Sequence, residues 1–327
     1  MTRPFRIRFA LHLALTLTIG LWAGAAIADP IAIVAAVKGK VEVTPNGAKT
    51  AVRASFGLPL ERGDRLVVER GGSATLAFGD GNVVELAENS SLTVGGRMAN
   101  RAQAGPGAGL PNEVFTQVSK FVTGGSRQAG LVAMAPLRSS LSAAEGMPLI
   151  VGPRSSEVLS GRPAFTWRQV KGAMRYKVVV SGDEGELWRR EVSGTSLDYP
   201  ADAAPLAADA DVLWEVQAWS DGGQIRKESS SFHVLAADQA EAVRTHLDRI
   251  RAAAGGDSSP ASHYLAGSYL ASRGIYDDAG RQFEALSKID PDSPAPHEAL
   301  GNVYRAVGLM DLAAAEFEKA LTLTREQ

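Results

Sequence analysis

The 327-residue chain holds five histidines and no cysteine. That excludes disulfide frameworks, thiolate zinc sites, iron–sulfur ligation and cysteine nucleophiles together. No G-x-S-x-G elbow, H-E-x-x-H pair, phosphate-binding Walker loop or calcium loop occurs. His263 and His297 lie 34 residues apart. One above the other, they are the nearest approach to a metal pair, but no carboxylate or thiolate set completes a coordination shell. Repeat geometry alone accounts for their offset, so they read as structural. Asp64 and Asp80 each adjoin a glycine, in turn settings where aspartate tolerates unusual backbone angles. Gly105, Gly107 and Gly109 lack the preceding strand and the following Lys-Ser/Thr of a nucleotide loop. The expectation is a non-enzyme with no metal and no cofactor.

The aromatic residues offer a second kind of chemistry. If Trp214 points inward with Val212 and Val216, strand alternation turns Trp219 outward with Glu215 and Gln217. A strand bearing Trp188 in the same sheet would place Trp188 and Trp219 on one exposed platform, flanked by Arg189 and Arg190. Such a platform suits a glycan or a protein. The alternative is that these rings pack beneath neighbouring segments. A formal net charge of -2 supplies no basic stripe, so nucleic acid is not an expected partner.

Five compositional zones divide the chain and set where these residues fall. Arg3, Arg6 and Arg8, the apolar stretch from Phe9 to Trp22, and Ala26-Ile27-Ala28 have the three-part layout of a cleavable signal peptide over 1–28. An exported protein without cysteine is expected in a bacterial periplasm. Residues 29–98 form an all-β domain. Val41 and Val43 alternate with Lys40 and Glu42, as Ala74, Leu76 and Phe78 alternate with their neighbours. Asp80-Gly81 between apolar runs predicts a two-residue hairpin turn.

Residues 99–155, rich in Gly, Ala, Pro and Ser, read as a linker with a short helix over 112–123 that Gly124-Gly125 would stop. Residues 156–235 hold six or seven short strands and predict a β-sandwich. Residues 236–327 switch to a helical period. Gly267, Gly274, Ala279 and Phe283 recur there as Gly301, Gly308, Ala313 and Phe317, each at an offset of 34. The fold class is therefore a multidomain chain: an all-β domain, a β-sandwich, then a helical array. Two repeats are fewer than the three needed to bury a continuous core. The helix expected over 237–254 would add a layer. Otherwise the array must pack on the sandwich or on a second copy, so a homo-oligomer is one expectation.

Three resemblances attach to these zones. Gly39-Lys40-Val41, Leu60 to Leu66, Ser73 to Phe78 and Glu88 to Val94 resemble a FecR-type domain, which implies a periplasmic β domain used in sensing or protein contact. Trp167 and Trp214 stand where a fibronectin type III-like module puts core aromatics. The 34-residue Gly…Ala…Phe spacing resembles tetratricopeptide (TPR) repeats, with Ala266 in place of a leucine and Arg325 in place of a terminal proline. That resemblance implies a groove for extended peptides or partner helices. Residues 236–327 carry fourteen acidic against nine basic side chains; such an excess is commonly a solvated face, and a basic partner held by it would bind through a salt-sensitive attraction. The expected function is an adaptor or scaffold for protein partners of the cell envelope. The rivals are a peptidoglycan- or polysaccharide-binding protein and an enzyme with an unrecognised site.

Overall fold

The computed structural model describes residues 30–95, 102–104, 109–132 and 149–326. The signal peptide read over 1–28 lies outside the described residues.

The first unit is built of short antiparallel strands. These are β1 (Ala32–Lys38), β2 (Val41–Thr44), β3 (Val52–Arg53), β4 (Pro59–Leu60), β5 (Arg65–Val68), β6 (Ser73–Phe78), β7 (Val83–Leu86), β8 (Ser90–Thr93) and β9 (Ala102–Ala104). They form two sheets, ordered β4-β1-β6-β7-β9 and β3-β2-β5-β8. Val34, Val41, Val43, Leu66, Leu76, Val84 and Leu86 fill the space between them. The alternation read from sequence is what assigns these residues to the inside.

The β6–β7 hairpin is closed by four residues rather than two. Asn82 N–H donates to Asp80 Oδ1 at 3.0 Å, and Gly81 supplies the positive φ of +92°. The Asp80 carboxylate makes the turn in place of a second left-handed residue. Asp64 is buried and accepts from Asn46 N–H at 2.9 Å and Glu61 N–H at 2.8 Å, which clips two loops together.

The described part of the stretch read as a linker holds a long helix. α1 (Asn112–Val132) runs through Gly124-Gly125 instead of stopping there. Val114, Phe115, Val118 and Val122 are buried against the first sheet and the C-terminal helices. Tertiary burial of this stripe outweighs the roughly 1 kcal/mol that each interior glycine costs a helix. The sandwich also begins before residue 156, because Leu149 and Ile150 are buried in its core.

The sandwich comprises β10 (Ile150–Gly152), β11 (Ser156–Val158), β12 (Phe165–Trp167), β13 (Arg175–Gly182), β14 (Gly185–Val192), β15 (Ser196–Leu197), β16 (Ala210–Ser220) and β17 (Gly223–Val234). The sheet β10-β12-β15 packs on the sheet β11-β17-β16-β13-β14. β11 runs parallel to β17 and the remaining pairs are antiparallel. Trp214 is fully buried at the centre. Its indole N–H donates to the Pro153 carbonyl at 2.8 Å, and its ring meets Phe165 edge-on at 4.9 Å.

Five helices follow: α2 (Ala237–Ala253), α3 (Pro260–Ser272), α4 (Tyr276–Ile289), α5 (Ala295–Ala306) and α6 (Met310–Glu326). The pairs α3–α4 and α5–α6 are hairpins related by the 34-residue offset. Gly274 and Gly308 end the first helix of each, both at φ +78°. A Cβ on Gly267 would lie 2.7 Å from Phe283, and one on Gly301 would lie 2.5 Å from Phe317. Glycine therefore lets each aromatic ring lie flush on the facing helix.

The units pack on one another. The outer face of the first sheet (Ile33, Ala35, Ala77, Val83) shares one apolar core with α1 to α5. Phe56 packs on Tyr264 with ring centroids 5.5 Å apart, and Phe121 stacks on Phe283 at 5.8 Å. The sandwich joins the helices through polar links. Glu157 N–H donates to the Gly274 carbonyl at 2.9 Å, and Arg168 binds Asp311 in two-pronged fashion at 2.5 and 2.9 Å. Arg154 reaches both the Val307 carbonyl and Glu228.

Candidate functional site

The expected tryptophan platform does not form. Trp219 lies on the outer face of the large sheet with Glu215 and Gln217, as alternation requires. Trp188 lies on the opposite, inner face, buried edge-on to Phe165 and Tyr199 at 5.5 and 5.4 Å. The register decides this. β13 sets Val180 against both Trp188 and Trp214, so all three point into the core. Arg189 and Arg190 fall on alternate sides of β14. Arg189 pairs with Glu186 at 2.5 Å on the outer face, and Arg190 pairs with Asp202 at 2.6 Å. The residue that does accompany Trp219 is Arg175, opposite it across the β13–β16 ladder, with its guanidinium 5.8 Å from the ring centroid. That pairing depends on strand register, so residue types alone could not disclose it.

Each repeat histidine bonds within its own hairpin. His263 Nδ1 lies 2.8 Å from Gln282 Oε1, and His297 Nδ1 lies 2.6 Å from Glu316 Oε2. Gln282 and Glu316 are themselves 34 residues apart. Each histidine thus closes its own hairpin at an equivalent position. Among the described residues no group of three metal-ligating side chains converges.

A groove of about 650 Å³ opens where the sandwich meets the α3–α4 turn. Its walls are the strand ends at Ser155–Glu157, Ser181–Asp183, Asp211–Leu213 and Ser231–His233, with Arg273–Tyr276 opposite. His233 sits between Asp211, 2.9 Å from Nδ1, and Asp209, 3.5 Å from Nε2. The Asp211 hydrogen bond holds the imidazole pKa above its ordinary value. One oxygen of Glu157 is buried without a hydrogen-bond partner, and Arg273 lies 3.5 Å from Glu113 on α1. Beneath the groove, Asp277 in the first turn of α4 accepts from the Ser156 hydroxyl at 3.3 Å. Burial pushes its carboxyl up to about 6. Gly152 lies so close to that carboxyl that a side chain there would strike it. The groove offers carboxylates and hydroxyls, which suits a polar or cationic group.

The groove was not legible in sequence, because its residues come from four separate strands and the α3–α4 turn. No helix among the described residues is long and apolar enough to cross a membrane.

No protein-family model and no curated protein matches the chain. Among solved structures it is similar to the crystal structure of chicken CNTN1 FN1–FN3 domains. The identity is 12% and the TM-score 0.20, with 63% of this chain and 57% of that one covered. The chain therefore spans little more than half the length of that structure. The architecture rests on its own coordinates: β-rich units followed by five C-terminal helices, with the middle unit a two-sheet sandwich.

Proposed function

We propose that this chain is an exported, non-enzymatic scaffold that works by protein contact at the bacterial cell envelope. In this reading the first unit is a FecR-type domain, the sandwich is fibronectin type III-like and the helical hairpins are TPR-like. The carrying observation is the single apolar core that joins the first sheet to α1–α5. With the sandwich bolted on through Arg168–Asp311 and Arg154, it holds several outward faces in fixed relation. A scaffold requires that property, since a partner gripping two faces loses no further freedom in ordering them.

The choice of partner face follows from what is already covered. On α3, ten of thirteen residues are buried, so the chain itself occupies the first hairpin's inner face. Exposed acidic side chains on α2 and α5, such as Glu241, Asp248 and Glu298, are the groups a basic protein would meet, Glu241 and Asp248 in competition with Arg244 and Arg251 beside them. The test is capture from envelope extract on the intact mature chain, with Glu241→Lys/Asp248→Lys/Glu298→Lys and Trp219→Ala as comparisons. Retention of one defined protein, lost with the triple charge reversal and at raised salt, supports the reading. Glycan retained with no protein, or protein lost only with Trp219→Ala, overturns the helical assignment.

A further inference from the structure

The helices cover the outer face of the first sheet over Ile33, Ala35, Ala77 and Val83. Toward the Lys38 end of β1 a gap opens instead. There α2 ends at Ala253, Gly255 and Gly256 turn the chain through positive φ, and α3 starts at Pro260. The gap is a cleft of about 830 Å³, within the roughly 300–1,000 Å³ of small-molecule sites. Ala36 and Val83 line it from the sheet, and Ala252 and Ala253 from the end of α2. These short side chains leave room between the walls for an apolar group. Lys38 and Glu85 line the same cleft, both exposed. Among the described residues neither forms an ion pair, and the Ser73 and Thr75 hydroxyls make no hydrogen bond. The register orders these four groups. Ser73 lies opposite Lys38, and Thr75 lies opposite Glu85, on the strand between β1 and β7. Two strand spacings of about 4.8 Å and two residues of about 3.4 Å set the Lys38 and Glu85 Cα atoms about 12 Å apart.

We propose that this cleft binds a short peptide with both termini free, its carboxylate on Lys38 and its ammonium on Glu85. One unpaired cation and one unpaired anion complement a zwitterion, through charge-assisted hydrogen bonds at each end. A simple anion such as a fatty acid would satisfy Lys38 and leave Glu85 unmatched. The span sets the length. A tripeptide, about 10 Å long when extended, bridges the two side chains as they lean inward. A single amino acid carries both charges on one α-carbon and reaches only one of them. The Ser73 and Thr75 hydroxyls then meet the peptide's backbone amides, and an apolar central residue lies against the alanines. The cleft shares no residue with the acidic helical face proposed for a protein partner, so the two stand or fall separately.

Calorimetric titration of the intact mature chain with the tripeptide Ala-Leu-Ala tests the site, with its N-acetylated form, its C-amidated form and free leucine as comparisons. The free tripeptide should bind with a Kd of about 1 mM or tighter. Acetylation and amidation should each weaken it by about tenfold or more. Lys38→Ala should bind the free and amidated peptides alike, and Glu85→Ala the free and acetylated peptides alike, since each variant removes the group that meets that terminus. Both variants should keep the parent's melting temperature, because both side chains are exposed. Ala252→Phe, at an exposed position of α2, should fill the cleft and abolish binding. Any of four results would overturn the proposal: no binding of the tripeptide up to about 10 mM, a blocked peptide or free leucine that binds as well as the tripeptide, charge variants that discriminate the blocked peptides as the parent does, or an Ala252→Phe variant that binds like the parent.

Discussion

Asp277 is a carboxylate held below the groove by the Ser156 hydroxyl, and burial raises its pKa to about 6 from an ordinary 3.8. Between those two values the folded state binds the proton that the unfolded state has released. Stability from this group is therefore fully present below the lower value, falls as pH rises toward the upper one, and is level above it. Two units correspond to at most about 3 kcal/mol, and the helix N-terminus returns about 0.3–1 kcal/mol to the charged form. Asp277→Asn should thus gain about 1–2 kcal/mol over the parent at pH 7 and little at pH 4, by urea midpoints. An equal difference at both pH values would refute the burial argument. The two tryptophans give a second contrast. Trp188→Ala empties a core position and should cost about 3–5 kcal/mol, whereas Trp219→Ala on the outer face should cost less than about 1 kcal/mol. Denaturant midpoints that rank them the other way would restore Trp188 to the surface. The outward turn of Trp219 was legible from alternation along its own strand. The inward turn of Trp188 was not, because it depends on the β13–β14 register, which shifts by a residue at Val180/Ser181.

Helical hairpins depend on close approach, and the two glycines at equivalent positions should respond differently to the same substitution. Alanine at either place gains about 1 kcal/mol of helix propensity but drives a methyl into a ring. At Gly267 the ring belongs to Phe283, fully buried and pinned by its stack on Phe121, so the strain has no outlet. Gly267→Ala should destabilise by about 1–3 kcal/mol net. At Gly301 the ring belongs to the half-buried Phe317, which has open space on its far side, so Gly301→Ala should be near neutral. Equal losses in thermal melts would show that Phe317 is as firmly held as Phe283. The 34-residue offset marked these four residues as equivalent positions in the chain, and the close approach of each glycine to its ring is what the fold adds. The full length of α1 was hidden for the converse reason. Its Gly124-Gly125 pair and polar flanks say loop, and only the sheet and α3 waiting beneath Val114, Val118 and Val122 make the helix pay its way.

Across the whole molecule, the first sheet ties the first unit to the helices, since it is covered on both faces. One signal of this lay in the chain: Ala32-Ile33-Val34-Ala35-Ala36-Val37 is a continuous apolar run, as strands buried on both sides tend to be. Which element would cover the second face was not legible, because any apolar helix would satisfy the same pattern. That coverage carries a consequence for how the protein unfolds. Removing residues 236–327 would strip α2–α6 from Ile33, Ala35, Ala77 and Val83, and from the inner stripe of α1. The uncovered area would form a contiguous apolar patch of the kind that monomeric proteins rarely leave in water. A fragment ending at Leu235 should therefore aggregate or bind a hydrophobic dye, while its sandwich retains the near-ultraviolet signal of the buried Trp167, Trp188 and Trp214. The first unit and the helices of the intact chain should melt in one calorimetric transition, because they share one apolar core across the outer face of the first sheet. A soluble fragment with no dye binding, or separate transitions for those two parts, would mean that the shared core contributes little. In that case the outward faces would be tethered rather than fixed, and partner binding would owe its strength to effective concentration instead of rigid presentation.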